Sequence, residues 1–538
     1  MSKKISKSAI VIGSGFGGIG TAAILAKAGW NVTVLEKNEM IGGRASKFSA
    51  SQDKNGNWTR DKKFKELVIQ KNSKLETRNS KNVESFRFDM GPSWYLMPDV
   101  FEHFFKILGE DVHKHLKLKK LAPSYRIFYK DENKHVDIFS DLKKDLPTIE
   151  AIEEGAADQL EKYLDQAGYQ YDVAKDRFMY KNYDSWRDFL TKEMATEGRK
   201  LSVFKTMDKY VKGYFKTDQL QKIMQYPLVF LGSSPYNTPA IYNIMSHIDF
   251  NMGVFYPKGG IYKITEALQA VAEKHGATFK VNSPVKQILV HNGKADGVVL
   301  QSGKKLEADI VVSNADIYHT ETKLLAPEHR EHSEKYWKSR TLAPSALIMY
   351  LGVKGKYKNL KHHNLLFSKD WKHNFAQIFD RPAWPDDPSL YVCAPSKTDP
   401  AVAPKGHENL FVLVPIAPGL KYTQKQLDKY ANKVLETMET EMKLPNLRKN
   451  IVFKELFSVK EFKERYNSQD GTALGLAHTL KQTAIFRPNN VSKKVKDLYY
   501  VGAGTNPGIG MPITLISAEL MYKRLTGDKT SGPLKKIK

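Results

Sequence analysis

The segment Gly13-Ser14-Gly15-Phe16-Gly17-Gly18 restricts what this chain can fold into more than any other feature. It fits G-x-G-x-x-G, follows the apolar run Ala9-Ile10-Val11-Ile12, and opens a small-residue segment, Gly18 to Gly29, that reads as a buried helix. A second apolar run, Val32-Thr33-Val34-Leu35, ends at Glu36, which lies 23 residues after Gly13 and is followed by Lys37. Strand, tight turn, helix and strand make a βαβ unit, so the chain is expected to be of the α/β class. The glycines have separate tasks: Gly13 allows the turn, Gly15 lets backbone approach a pyrophosphate, and Gly18 lets helix and strand pack closely. The helix start supplies partial positive charge, and Glu36 can accept hydrogen bonds from ribose hydroxyls. A dinucleotide site is expected here, with Ser14 and Gly17 completing its loop.

At 538 residues the chain is too long for one simple core, which suggests two or three interwoven domains. Its formal net charge of +25 favours anionic partners. Zinc-finger spacing, aromatic-rich RNA-binding motifs and a basic helix with heptads are all missing from the sequence, which argues against nucleic acid. An anionic membrane surface fits better, since each basic residue gains roughly 1 kcal/mol near acidic lipid. Cys393 is the single cysteine, so no internal disulfide forms, and it reads as a small core residue. No metal site is expected. The start of the chain is not read as a signal peptide, because glycines interrupt its apolar run too soon. Leu498 to Ala518 carries no charge until Glu519, but Pro507, Pro512 and four glycines make it loop and helix cap, so no transmembrane helix is expected.

Along the chain, residues 50 to 84 are polar and aperiodic and read as an exposed insertion. Residues 97 to 252 read as mostly helical. Lys263 to Lys274 is an amphipathic helix followed by strand-like runs at 278–281, 285–290, 297–300 and 309–314. Residues 341 to 480 alternate strands, such as 346–351 and 410–414, with helical pieces, implying a second, mixed sheet. A last buried strand, 497–501, runs into Gly502-Ala503-Gly504 and then a helix from about Pro512.

Downstream of Glu36, Gly42-Gly43-Arg44-Ala45 resembles the E-x(n)-G-G-R arrangement of the flavin-containing amine oxidase and carotenoid desaturase superfamily; Arg44 there would neutralise phosphate or hold the flavin-side loop. Phe88-Asp89-Met90-Gly91-Pro92-Ser93, Tyr256-Pro257-Lys258-Gly259-Gly260, Ser313-Asn314-Ala315-Asp316 and the run from Leu498 to Pro512 resemble, in order and separation, bacterial-type phytoene desaturases. The resemblance covers nearly the whole chain apart from 50 to 84. It implies a Rossmann-like FAD-binding domain built from discontinuous segments (1–96, 253–325, 485–538). A helical, membrane-facing part (97–252) and a mixed-sheet substrate domain (326–484) would be inserted between them. FAD would be held by Gly13, Ser14, Gly15, Gly17, Gly18, Glu36, Lys37, Gly43, Arg44, Gly91, Pro92 and Ser93, by the Val285 backbone at the adenine end, and by Gly502, Gly504, Gly510, Met511 and Pro512 at the isoalloxazine. Asp188, within Trp186-Arg187-Asp188-Phe189, is the candidate catalytic acid or base; Asp89 and His247 are weaker ones. One departure stands out: the family often carries histidine where this chain has Asn506.

The implied activity is desaturation of phytoene or a C30 to C40 relative by an enzyme held peripherally on the cytoplasmic side of a membrane, with electrons passing from FAD to oxygen or a quinone. An apolar tunnel, not ionic contacts, must align such a substrate. Moving some forty carbons through water would cost on the order of 30 kcal/mol, so loading from a bilayer is expected. Two other readings stay open at this level: a carotenoid isomerase, oxidase or polyprenyl saturase of the same fold, and a non-catalytic prenyl-lipid escort protein.

Overall fold

The computed structural model describes residues 7–61, 85–132, 134–185 and 205–537. Its nucleotide-binding half is a five-stranded parallel sheet in the order Thr278–Lys280, Asn31–Leu35, Ser8–Ile12, Ile310–Ser313, Leu498–Tyr500. Parallel strands are covered on both faces, which is why the inner ones are short apolar runs without alternation, while the edge strand Thr278–Lys280 is partly polar. On one face lies helix Phe16–Lys27, in which every residue but the last is buried. It packs on helices Tyr262–Lys274 and Met511–Thr526. The contact needs small residues: a Cβ on Gly20 would stand 3.0 Å from Leu515 and 3.2 Å from Phe104. The other face is covered by an antiparallel meander, Val285–His291, Lys294–Leu300 and Lys305–Glu307, through Ile288, Ala295 and Val298 against Ile10, Ile12 and Leu35.

The second half is a seven-stranded mixed sheet in the order Ile451–Phe457, Ser345–Lys354, His407–Ile416, Leu390–Cys393, His363–Phe367, Tyr125–Tyr129, His135–Ile138. All pairings are antiparallel except that of His363–Phe367 with Tyr125–Tyr129. The mixed sheet expected from residues 341 to 480 is present, but it also recruits two strands from the segment read as helical. Tyr125–Tyr129 is a five-residue run buried throughout. Period alone cannot separate so short a buried strand from a turn of helix, and its aromatic and β-branched content is the signal that favours the strand.

The polar stretch after residue 50 is exposed at 52–57 but has strands at its ends. Lys47–Gln52, Trp58–Arg60 and Ser85–Asp89 form a three-stranded antiparallel sheet, held by Trp58 packing 4.6 Å from the Phe86 ring. Residues 62–84, the rest of the supposed insertion, lie outside the described residues, as does Asp188. Leu498 to Ala518 divides into strand, turn and the first half of a helix, and among the described residues no helix is long and apolar enough to cross a membrane.

Candidate functional site

The two halves meet over one cavity of about 1190 Å³. That exceeds the roughly 300–1,000 Å³ of a usual small-molecule site and leaves room for two occupants. Its floor at one end is backbone. The glycine loop leaves the first strand and enters helix Phe16–Lys27, whose preceding residue, Gly15, is extended and donates no side-chain cap. The first helical N–H groups therefore stand without side-chain acceptors, suited to a phosphate oxygen.

Asn314, at the end of strand Ile310–Ser313, sits beneath this loop and donates its carboxamide to the Gly13 carbonyl at 3.3 Å. A Cβ on Gly15 would meet its Nδ2 at 2.9 Å, one on Gly17 its Oδ1 at 2.7 Å and Gly502 Cα at 3.1 Å, and one on Gly502 its Oδ1 at 2.6 Å. The first loop and the C-terminal turn thus touch through glycine and one asparagine. Gly502 also takes φ of 100°, a conformation that side chains resist. Gly43 closes the loop from above, with a Cβ there only 3.2 Å from Gly15 Cα.

Glu36 is almost fully buried at the end of the second strand. Its Oε2 accepts from the Ser14 amide at 3.0 Å and hydroxyl at 2.6 Å, and its Oε1 from the amide and carboxamide of Asn38, both at 2.9 Å. These four donors use the carboxylate's lone-pair directions. A ribose hydroxyl engages Glu36 by taking the place of the Ser14 hydroxyl or the Asn38 carboxamide. Lys37 turns to the neighbouring loop, donating to the Glu464 carbonyl at 2.6 Å and Asn467 Oδ1 at 2.9 Å, and burial lowers its pKa. Arg44 is likewise a clamp: its Nε donates to the Ala473 carbonyl at 2.5 Å and its guanidinium lies 5.2 Å over the Tyr466 ring. Burial pulls its pKa down while the Asp316 carboxylate opposes that.

Of the residues expected to hold FAD, Gly13, Ser14, Gly15, Gly17, Glu36, Lys37, Gly43, Arg44, Gly91, Pro92, Ser93, Val285, Gly502, Gly510, Met511 and Pro512 all line this cavity. Gly18 and Gly504 do not. A Cβ on Gly18 would come within 2.0 Å of the Gly13 carbonyl and one on Gly504 within 2.9 Å of Ile317, so both glycines shape the walls from behind. The second helix start, Gly510-Met511-Pro512, also lines the cavity. A cavity lined by two helix N-termini and a buried carboxylate fits a dinucleotide whose pyrophosphate and ring system each need positive potential.

Beyond Met511 the lining becomes apolar and aromatic, with Trp94, Tyr226, Phe367, Trp371, Phe375 and Leu413 among its walls. One acid stands behind it. Asp249 accepts from the Tyr125 hydroxyl at 2.7 Å and from that of Tyr226, a cavity wall, at 2.9 Å, while its second oxygen has no partner. Burial pushes its pKa up to about 7, against the two phenol hydrogen bonds that lower it. Sequence reading missed Asp249, because a lone aspartate inside a helical stretch carries no motif. It quoted Asn314 within a motif without giving it a role. His478 was missed too: it lines the cavity, its Nδ1 3.0 Å from the Leu231 carbonyl and its ring against Gly508, where a Cβ would lie 2.1 Å from Nε2.

The weaker candidates have other duties. Asp89 accepts from the amides of Ile261 at 2.8 Å and Tyr262 at 3.0 Å, anchoring the start of helix Tyr262–Lys274, and burial raises its pKa to about 6. His247 stacks 5.3 Å from Tyr171, and neither residue lines the cavity.

A family model described as flavin containing amine oxidoreductase matches residues 73–520, and one described as FAD dependent oxidoreductase matches residues 8–129. The chain is 43% identical over 531 residues to a carotenoid 3,4-desaturase of Haloarcula japonica, spanning 98% of this chain and 100% of that one. It is 32% identical over 520 residues to a zeta-carotene-forming phytoene desaturase of Myxococcus xanthus, spanning 96% and 93%. Among solved structures, wild-type putrescine oxidase bound to putrescine matches with a TM-score of 0.58 at 12% identity, covering 97% of this chain and 99% of that one, a likeness of fold.

Proposed function

Because the chain belongs to the flavin containing amine oxidoreductase family, in its phytoene desaturase-type branch, and is an FAD-dependent oxidoreductase, we propose that it introduces double bonds into a carotenoid or an acyclic C30 to C40 precursor such as phytoene. The observation that carries this reading is the single cavity whose glycine-lined end and apolar end are continuous. Bound at the glycine end, FAD supplies a two-electron acceptor competent to take hydride from carbon, which no side chain can do. The expected FAD contacts are those lining the cavity, with Asn314 added to them.

The protein's own part is position and proton. Trp94, Phe367 and Leu413 offer dispersion contacts but no charge, which suits a hydrocarbon without a polar handle. The proton lost with the hydride is taken up at the Tyr226–Asp249 pair, whose unpartnered carboxylate oxygen is its resting place. Asp188 is the alternative acceptor.

Loading occurs from a bilayer on whose cytoplasmic face the protein rests peripherally, with helices of the 97–252 segment against the lipid. The charge of +25 supports this, as do exposed Leu480 and Phe486, which flank the cavity-lining residues Thr483 and Ala484. Electrons leave for oxygen or a membrane quinone. The test is reconstitution with FAD and liposomes containing phytoene or a longer polyene. New conjugated double bonds move absorption into the visible, and product masses fall by two hydrogens per step. Unchanged spectra and masses with flavin fully bound would overturn the desaturase reading, and a gain of oxygen would replace it with an oxygenase.

A further inference from the structure

Behind the Trp94–Tyr391 wall, outside the cavity, lies a second cluster with its own chemistry. His363 and Cys393 are register partners in neighbouring antiparallel strands, so their side chains leave the sheet on one face. His362 stands one residue before its strand begins, at a bend, and escapes the alternation that would send it to the opposite face. The ligand atoms of all three lie within 4.8 Å of one another, and the residues are 4%, 0% and 4% exposed.

The ring nitrogens divide in a telling way. Each Nδ1 has a partner at 2.7 Å, the Thr398 hydroxyl for His362 and the Tyr391 hydroxyl for His363. Each Nε2 is buried with none. The hydroxyl of Tyr256, whose ring packs 4.7 Å from His362, is also buried without a partner. A neutral imidazole that donates through Nδ1 presents its Nε2 lone pair, and outer hydrogen bonds of this kind orient histidine towards metals. Two buried imidazoles clustered with one thiol, each with an Nε2 that no neighbour satisfies, are what a soft cation can bridge once the thiol gives up its proton.

We propose that His362 Nε2, His363 Nε2 and Cys393 Sγ form a binding site for one thiophilic d10 metal ion, Cu+ in preference to Zn2+. Binding forms a metal–sulfur bond, releases the thiol proton to solvent and changes no oxidation state. Cu+ with one thiolate is electrically neutral and accepts three ligands, which suits a closed apolar site. Zn2+ would leave a buried positive charge and require a fourth ligand. Metal–nitrogen bonds near 2.0 Å and metal–sulfur bonds near 2.3 Å hold such donors roughly 3.3–3.8 Å apart, so side chains close by about 1 Å. The ion would staple two strands and fix the His363 ring, which stacks on cavity wall Trp94 at 4.1 Å and 7°.

The FAD-loaded full chain, stripped with a chelator, is titrated with Cu+ against a colorimetric Cu+ competitor, and separately with Zn2+ and with Co2+ as its spectroscopic substitute. One equivalent of Cu+ per chain is expected, with Cys393→Ser weakening it about 100-fold and His363→Gln by about 10-fold or more. Flavin content reports whether each variant is folded; His362→Gln, outside the strand ladder, replaces any variant that loses flavin. Tighter Zn2+ binding, with a cobalt–thiolate charge-transfer band lost in Cys393→Ser, supports the site and overturns the preference for Cu+. No retained ion and no band, or binding unchanged in a folded Cys393→Ser protein, overturns the proposal.

Discussion

The two ends of the cavity are built on opposite principles. At the glycine end, recognition is backbone: side chains are absent at Gly13, Gly15, Gly17 and Gly502 because a Cβ would be strained or would collide with neighbouring backbone or Asn314. At the apolar end, recognition is all side chain, contributed by strands and helices from both halves of the chain. The first cannot tolerate an added atom; the second is defined by the sum of many that can be exchanged. A site made of absences is rigid and shared by many chemistries, while one made of bulk is where substrate length is set.

Breaking the glycine end has the largest expected effect. Gly17→Val places atoms against Asn314 and Gly502, and overpacking of about 1–3 kcal/mol translates into FAD binding weaker by up to ~100-fold, read as flavin released on denaturation. Full flavin retention would show that backbone approach is not what the loop is for. At the apolar end, Leu413→Trp narrows the wall and is expected to lower desaturation roughly 10- to 100-fold with flavin content unchanged. Loss of flavin in that variant would mean that the two ends are not separable.

Asp249 sharpens the contrast as the polar group of the apolar end. Its folded pKa, about 7, lies above the ordinary 3.8, so ionisation is penalised by folding. Stability from this group is fully present below about pH 3.8 and is lost as pH rises from there through about 7. Asp249→Asn should therefore be more stable than the parent at pH 8 by roughly 4 kcal/mol and equal to it below about pH 3.8, measured by denaturant unfolding. The same variant flattens the pH dependence of turnover if Asp249 takes the proton, whereas Asp188→Asn does so if Asp188 does. The smallest effect is expected at the surface: vesicle binding should weaken several-fold as salt screens the basic charge, over roughly 50 to 300 mM.

The difference between the ends also explains what could be read from sequence. Gly13, Gly15 and Glu36 stand at spacings that local geometry dictates, so the loop, its helix and the last turn were legible. Asn314 was visible as part of a motif, but its place under the loop depends on strand Ile310–Ser313 pairing with Ser8–Ile12, three hundred residues away. Tyr125–Tyr129 does not stand out within a mostly helical stretch, because five buried residues carry no usable period. Asp249 acquires meaning only from Tyr125 and Tyr226, two phenols brought to it by tertiary packing.

The touch between Gly17 and Gly502 has a consequence for biogenesis. The opening and closing walls of the cradle are translated almost five hundred codons apart, so a nascent chain halted before Gly502 owns the loop yet has nothing to shut it with. Flavin capture is then a late, post-elongation event, and truncated products should leave the ribosome colourless.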